Sequence, residues 1–190
     1  METAIQVRRP WNKGLIVGQK RPLLPRQVWS IRGCLEMSAS PRDLALFNLA
    51  IDSKLRASDL VCLRTEDICS GALVRDRGVV TQLKTGRPVQ FEITEVTRQS
   101  VERLLATQRA DDTGCLFKSR TGGSSHISAR QYTRIAHRWI SNIGLDDRGF
   151  GTHSLRRTKV AQLYRKTGNL RAVQLLLVMR RSKPQCGTSG

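Results

Sequence analysis

From residue 25 onward the apolar positions recur at helical spacing. Val28, Ile31 and Leu35 share one face. Ser40 and Pro41 supply a cap and an N1 proline for a second helix, whose apolar face carries Leu44, Phe47, Ile51 and Leu55. The pattern predicts a third helix from Ser58 through Leu60, Leu63 and Arg64. Over residues 68–93 the period shortens to that of strands. Val79, Val80 and Leu83 form one run, Val89, Phe91 and Ile93 alternate, and Lys84-Thr85-Gly86-Arg87 supplies the turn between them. Helical spacing returns over residues 94–108, with Val101, Leu104 and Leu105 inward, and residues 111–126 read as loop around Leu116 and Phe117. The clearest amphipathic helix follows: Tyr132, Ile135, Ala136, Trp139, Ile140 and Ile143 form its stripe, His137 lies off it and is expected to be exposed, and Gly144 ends it. A last long helix starts near Thr152 and stops at Gly168, a C′ glycine. Asn169 then caps a short helix bearing Leu170, Val173 and Leu177. These elements predict an α+β fold, mainly α-helical with a small antiparallel sheet, as one domain over residues 25–177 and without internal repeats.

Composition changes this picture through charge. The 190 residues hold 33 Lys and Arg against 15 Asp and Glu, a formal net charge of +18 and a pI near 11.1, which calls for a polyanionic partner. Residues 148–190 contain no acidic side chain. Aromatic residues make up 5% of the chain, so phosphate contacts are a better basis for that partnership than base stacking. Residues 1–24 carry Arg8, Arg9, Lys13, Lys20 and Arg21 among Gly and Pro breaks, and Trp11 is placed to rest on the domain. This basic arm reads equally as a DNA-contacting arm or an unstructured tail. The five cysteines, Cys34, Cys62, Cys69, Cys115 and Cys186, show no CxxC spacing and no companion His cluster. They predict reduced thiols in a cytoplasmic protein, with no metal site. No apolar run is long enough to span a membrane and no signal-peptide core opens the chain.

Candidate chemistry concentrates in residues 152–177, THSLRRTKVAQLYRKTGNLRAVQLLL. His153 and Arg156, three apart, share a helix face at the helix start, where a guanidinium fork, an imidazole and free backbone N–H groups can grip a phosphate. Taken alone, H-x-x-R on a basic helix is a solvated cationic face. The run His-x-Leu-Arg-Arg-Thr, a helix, a Gly-Asn-Leu turn and a Leu-rich helix together resemble the second conserved box of the tyrosine recombinase (phage integrase) family. Lys54-Leu55-Arg56-Ala57-Ser58-Asp59-Leu60 is similar to the first box, Gly-Leu-Arg-x-Ser-Glu-Leu, with Lys54 in place of its glycine.

The resemblance implies a catalytic domain that joins DNA to a tyrosine without metal or nucleotide cofactor. In it Arg56 and Arg156 stabilise charge on phosphorus, His153 assists proton transfer, and Lys84 on its hairpin protonates the leaving 5′ oxygen. A solvated turn lysine is the competing reading of Lys84. Arg87, Arg157 and Lys159 stand beside these residues as candidate DNA contacts. Double-stranded DNA is the implied partner, with a homo-oligomer formed on it. Two family features are not found where they are expected: the Gly-His after the Leu-rich helix, and the nucleophilic tyrosine. Residues 178–190 read instead as an aberrant tail. Codons exist for Val178-Met179 and for residues 185–190 that, shifted by one base, read Gly-His and Thr-Val-Arg-Tyr-Leu-Gly. A frameshift and a divergent C-terminus are the two explanations. Neither Tyr132, in a core stripe, nor Tyr164, on the His153 helix, reads as the nucleophile. The expected function is therefore site-specific DNA recombination by breaking and rejoining, with this chain inactive in cleavage. The alternatives are a non-catalytic or inhibitory DNA-binding module and, more weakly, a basic RNA-associated protein.

Overall fold

The structure is a computed structural model and describes residues 19–71, 73–108, 114–119, 125–169, 171 and 173. Its centre is helix α2 (Pro41–Ser53), in which every residue from Leu44 to Ser53 is buried. The sequence shows one apolar stripe there. Helix α1 (Pro25–Met37), helix α5 (Glu95–Ala106) and helix α7 (Thr152–Thr167) all pack against α2, so its polar positions are enclosed as well. Enclosure requires partners for them: Asn48 accepts from Arg32 Nε at 2.7 Å, and Asp52 is bonded from three directions. Phe47 meets Trp139 of helix α6 (Ala129–Asn142) edge to face at 5.4 Å between ring centroids, which ties the second half of the chain to the first.

Between α2 and α5 the chain makes two short helices, α3 (Ala57–Val61) and α4 (Thr65–Ile68), and two separate antiparallel hairpins. Strands β1 (Cys69–Ser70) and β2 (Leu73–Val74) form the small one. Strands β3 (Arg77–Thr81) and β4 (Pro88–Glu92) form the larger, in register from Arg77 opposite Glu92 to Thr81 opposite Pro88. Gly78 lies against Phe91 so closely that a Cβ there would stand 2.4 Å from the ring. The β3–β4 turn closes with Gly86 at φ +62° donating its N–H to the Gln82 carbonyl at 2.8 Å.

Several expectations are corrected. The third helix ends at Val61: the backbone beyond it turns to pair with residues 114–116, with Leu116 N–H on the Leu63 carbonyl at 2.9 Å and a bridge from Arg64 to Cys115. Leu83 belongs to the turn and is exposed, leaving Val80 as the inward member of its run. His137 is half-buried and donates from Nδ1 to Asp147 Oδ2 at 3.1 Å, in the 3₁₀ turn Asp147–Gly149 before α7. Gly168 closes α7 in the left-handed region as expected, and the Asn169 side-chain oxygen accepts from Arg171 N–H at 2.8 Å, as a cap does. The end of the basic arm is packed on the domain: Leu23 is fully buried and its N–H donates to Thr158 Oγ1 at 3.1 Å. The expectations for Trp11, Leu170, Leu177, Cys186 and residues 178–190 lie outside the described residues.

Candidate phosphate-binding site

Helix α7 starts from Gly151, whose N–H donates to Ser154 Oγ at 3.2 Å, and this fixes its first turn. His153 is exposed on that turn, with Arg156 on the same face one turn on. Arg156 is half-buried and donates from Nε to the Lys54 carbonyl at 2.7 Å, across 102 residues of sequence. That carbonyl lies at the C-terminus of α2, where Lys54 adopts φ +55°. A cation there also meets the negative end of the α2 dipole. The family motif's glycine is thus explained by backbone geometry: the position is left-handed, and this chain accepts lysine in it at a steric cost.

Arg56 precedes α3 and donates from Nη1 to Gln82 Oε1 at 3.0 Å. The same oxygen accepts from Thr85 Oγ1 at 2.9 Å, and Leu83 N–H donates to Asp59 Oδ1 at 3.1 Å. The β3–β4 turn, with Lys84 exposed upon it, is in this way fastened to the α3 segment that carries Arg56. Asp59 is 1% exposed, and its other oxygen lies 4.0 Å from Arg56 Nη1, an ion-pair separation without a hydrogen bond.

The two arginines feel each other. Burial lowers the Arg156 pKa, and the neighbouring Arg56 charge lowers it further, against the opposing pull of Asp59. A guanidinium stays protonated throughout, so the pair concentrates positive charge that an anion placed between them would relieve. Arg56, Lys84, His153 and Arg156 are therefore linked as follows: Arg56 to the Lys84 turn through Gln82, Arg56 to Arg156 through space, and Arg156 to His153 along one helix face. Among the described residues, neither the Lys84 ammonium nor the His153 ring has a hydrogen-bond or ion-pair partner.

The other candidates divide. Arg87 is exposed beside Lys84. Arg157 is exposed and donates to Gln19 Oε1 at 2.9 Å. Lys159 turns inward, its ammonium 3.1 Å from Asp52 Oδ1, and so serves the helix interface rather than an outer surface. Sequence reasoning missed this pair and Gln82. The only sequence signal for Gln82 is its place at the end of a strand, two residues before the lysine. Tyr132 is buried and its phenol is driven far above its ordinary pKa by desolvation. Tyr164 lines an open cavity of about 420 Å³ with Gln19, Arg157, Ala161 and Val173, and none of the four linked residues lines it. Among the described residues no group of three His, Cys, Asp or Glu side chains could hold a metal ion, and Cys34, Cys62, Cys69 and Cys115 are free thiols.

In this helical domain the C-terminal helix α7 and the segment before α3 are joined by the Arg156–Lys54 hydrogen bond, and the lysine hairpin is fastened to the same segment. The sequence model described as "Phage integrase family" matches residues 23–180, and the chain belongs to that family. It is 30% identical over 142 residues to the probable integrase/recombinase YoeC of Bacillus subtilis, covering 74% of this chain and 73% of that one. It is 34% identical over 140 residues to the tyrosine recombinase XerC of Pseudomonas aeruginosa, covering 72% of this chain but 43% of that protein's length. Among solved structures, XerH site-specific recombinase bound to its difH substrate matches with a TM-score of 0.65 at 16% identity, over 80% of this chain and 45% of that one. A lambda integrase dimer bound to a COC′ core site matches at 0.60 and 20% identity, over 86% of this chain and 59% of that one. At these identities the structures establish the fold: the chain has the tyrosine recombinase catalytic-domain architecture.

Proposed function

We propose that this chain binds double-stranded DNA and grips one backbone phosphate between Arg56 and Arg156, as the phosphate-activating part of a site-specific recombination reaction. What supports the reading is that Arg156 Nε is bonded to the Lys54 carbonyl, two residues before Arg56 and across a hundred residues of sequence, while Gln82 Oε1 holds Arg56, so that the two guanidiniums are anchored at neighbouring points. The hydrogen bonds that orient the cations go to neutral oxygens, and the one nearby carboxylate, Asp59, stands off at 4.0 Å from Arg56, so the two charges together exceed it and favour a phosphate that gains negative charge as it becomes pentacoordinate. His153, on the Arg156 face, is positioned to move a proton at the same phosphate. Lys84, on the turn fastened to Arg56, is the group for the departing 5′ oxygen. Arg87 and Arg157 add backbone contacts. No metal or nucleotide enters this scheme. The lambda integrase match is a dimer on DNA, and the proposal extends to several copies of this chain on one duplex in the cytoplasm.

A second reading is favoured by the tyrosines. Covalent catalysis needs a phenol oxygen in line with the leaving group. Tyr132 is enclosed, and Tyr164 lies eleven residues beyond His153, about 16 Å along the helix at 1.5 Å per residue. These 190 residues are therefore expected to bind DNA without forming a covalent adduct. Incubation with nicked duplex DNA, followed by denaturation, tests this. The outcome expected is salt-sensitive binding with no protein-linked DNA. Adduct formation would overturn it and make Tyr164→Phe the next variant. In a chain with Gly-His and Val-Arg-Tyr placed after Leu177, an adduct should form.

A further inference from the structure

Two acceptors compete for the same Arg56 Nη1. Gln82 Oε1 holds it at 3.0 Å, while Asp59 Oδ2, buried and without a hydrogen bond among the described residues, stands 4.0 Å away. A carboxylate is the stronger acceptor for a guanidinium, so with no other restraint Arg56 would close on Asp59. That movement exceeds an ångström and would draw the cation inward, with its charge offset by Asp59. Gln82 is itself held: its N–H donates to the Arg87 carbonyl at 3.0 Å, its carbonyl accepts from Gly86 N–H at 2.8 Å, and Thr85 Oγ1 donates to its side-chain oxygen at 2.9 Å. The β3–β4 turn thus fixes the carboxamide, and the carboxamide fixes the arginine.

We infer that Gln82 is a positioning residue that keeps the Arg56 guanidinium forward of Asp59 and in register with the Lys84 turn, so that Arg56 and Arg156 reach one phosphate together. The inference rests on the proposed phosphate site and adds a residue to it. A misplacement of about 1 Å at such a site can cost on the order of a hundredfold in reactivity, so a spacer of this kind has a large effect for one neutral side chain.

The test follows the arginine side-chain Nε–H signals of the full 190-residue chain by nuclear magnetic resonance during titration with inorganic phosphate. In the parent chain the Arg56 and Arg156 signals should move together and give one Kd. In Gln82→Ala the Arg56 signal should already differ before phosphate is added, and the Kd should rise at least tenfold. Gln82→Met keeps the side chain's length but offers no acceptor to Arg56 or Thr85; its Kd should also rise at least tenfold with the helical circular dichroism unchanged. A Kd within twofold of the parent in Gln82→Ala overturns the inference while leaving the phosphate site standing. If Gln82→Ala loses its helical circular dichroism, a Kd within twofold of the parent in Gln82→Met overturns it alone. Failure of both arginine signals to respond in the parent chain removes the phosphate site, and this inference falls with it.

Discussion

Lys54 holds a left-handed backbone position, φ +55°, that an L-residue occupies at a cost of about 1 kcal/mol. In that conformation its carbonyl accepts from Arg156 Nε, and glycine adopts the conformation without strain. Lys54→Gly relieves about 1 kcal/mol of strain but gives the unfolded chain more freedom, so unfolding stability is expected to rise by about 0.5 kcal/mol while DNA affinity changes only by the loss of one cation. Chemical denaturation of both chains checks it; a less stable variant would show that the Lys54 side chain contributes more than its backbone costs. The sequence was informative at this scale where the chemistry is local. His153 and Arg156 lie one turn apart on α7, and the first box names Arg56. The direction in which Lys159 points was not legible, because its partner Asp52 lies 107 residues earlier. A basic residue on a basic helix reads as surface until the opposite charge is brought beneath it.

Asp52 joins three helices. Its Oδ2 accepts from Thr94 N–H at 3.0 Å and from Thr97 Oγ1 at 2.7 Å at the start of α5, and its Oδ1 takes Lys159 of α7. Burial alone would raise this carboxyl. The Lys159 charge, then the threonine hydroxyls and the Thr94 N–H, outweigh it and leave the pKa below its ordinary value. A depressed carboxyl stabilises the fold fully above its unfolded pKa, near 3.9, and that contribution is lost as pH falls through the lower folded value. Asp52→Asn leaves Lys159 unpaired and should cost about 3 kcal/mol at neutral pH. The gap between variant and parent should narrow below pH 4; a gap independent of pH would assign the loss to packing. In the larger hairpin, Gly78→Ala places a methyl on the Phe91 ring and should cost about 2 kcal/mol by thermal unfolding. No loss there would mean that Phe91 repacks freely. Strand alternation and the α6 stripe were readable because period and burial agree. The early end of α3 was not, since Leu63 keeps helical spacing while its backbone is taken by Leu116, more than fifty residues on.

At the scale of the whole molecule, a net charge of +18 and the mutual repulsion of Arg56 and Arg156 are electrostatically unfavourable in the unbound state and are relieved by a polyanion. Duplex DNA affinity should fall linearly on logarithmic axes as salt rises, with a slope near −0.9 per phosphate neutralised. Removing either Arg56 or Arg156 should reduce that slope by less than one phosphate's worth, because the other still contacts the shared phosphate, and removing both should reduce it by about one. Bulk charge alone would produce the same salt dependence from arginines anywhere on the surface. Arg56 and Arg156 are distinguished from such arginines by acting on a single phosphate. A double-mutant cycle on DNA affinity, using Arg56→Ala, Arg156→Ala and the combined variant at fixed salt, reads this directly. If both grip one phosphate, the combined variant should lose markedly less than the sum of the single losses, a coupling of about 1 kcal/mol or more. Strictly additive losses would place the two arginines on separate phosphates and contradict the site.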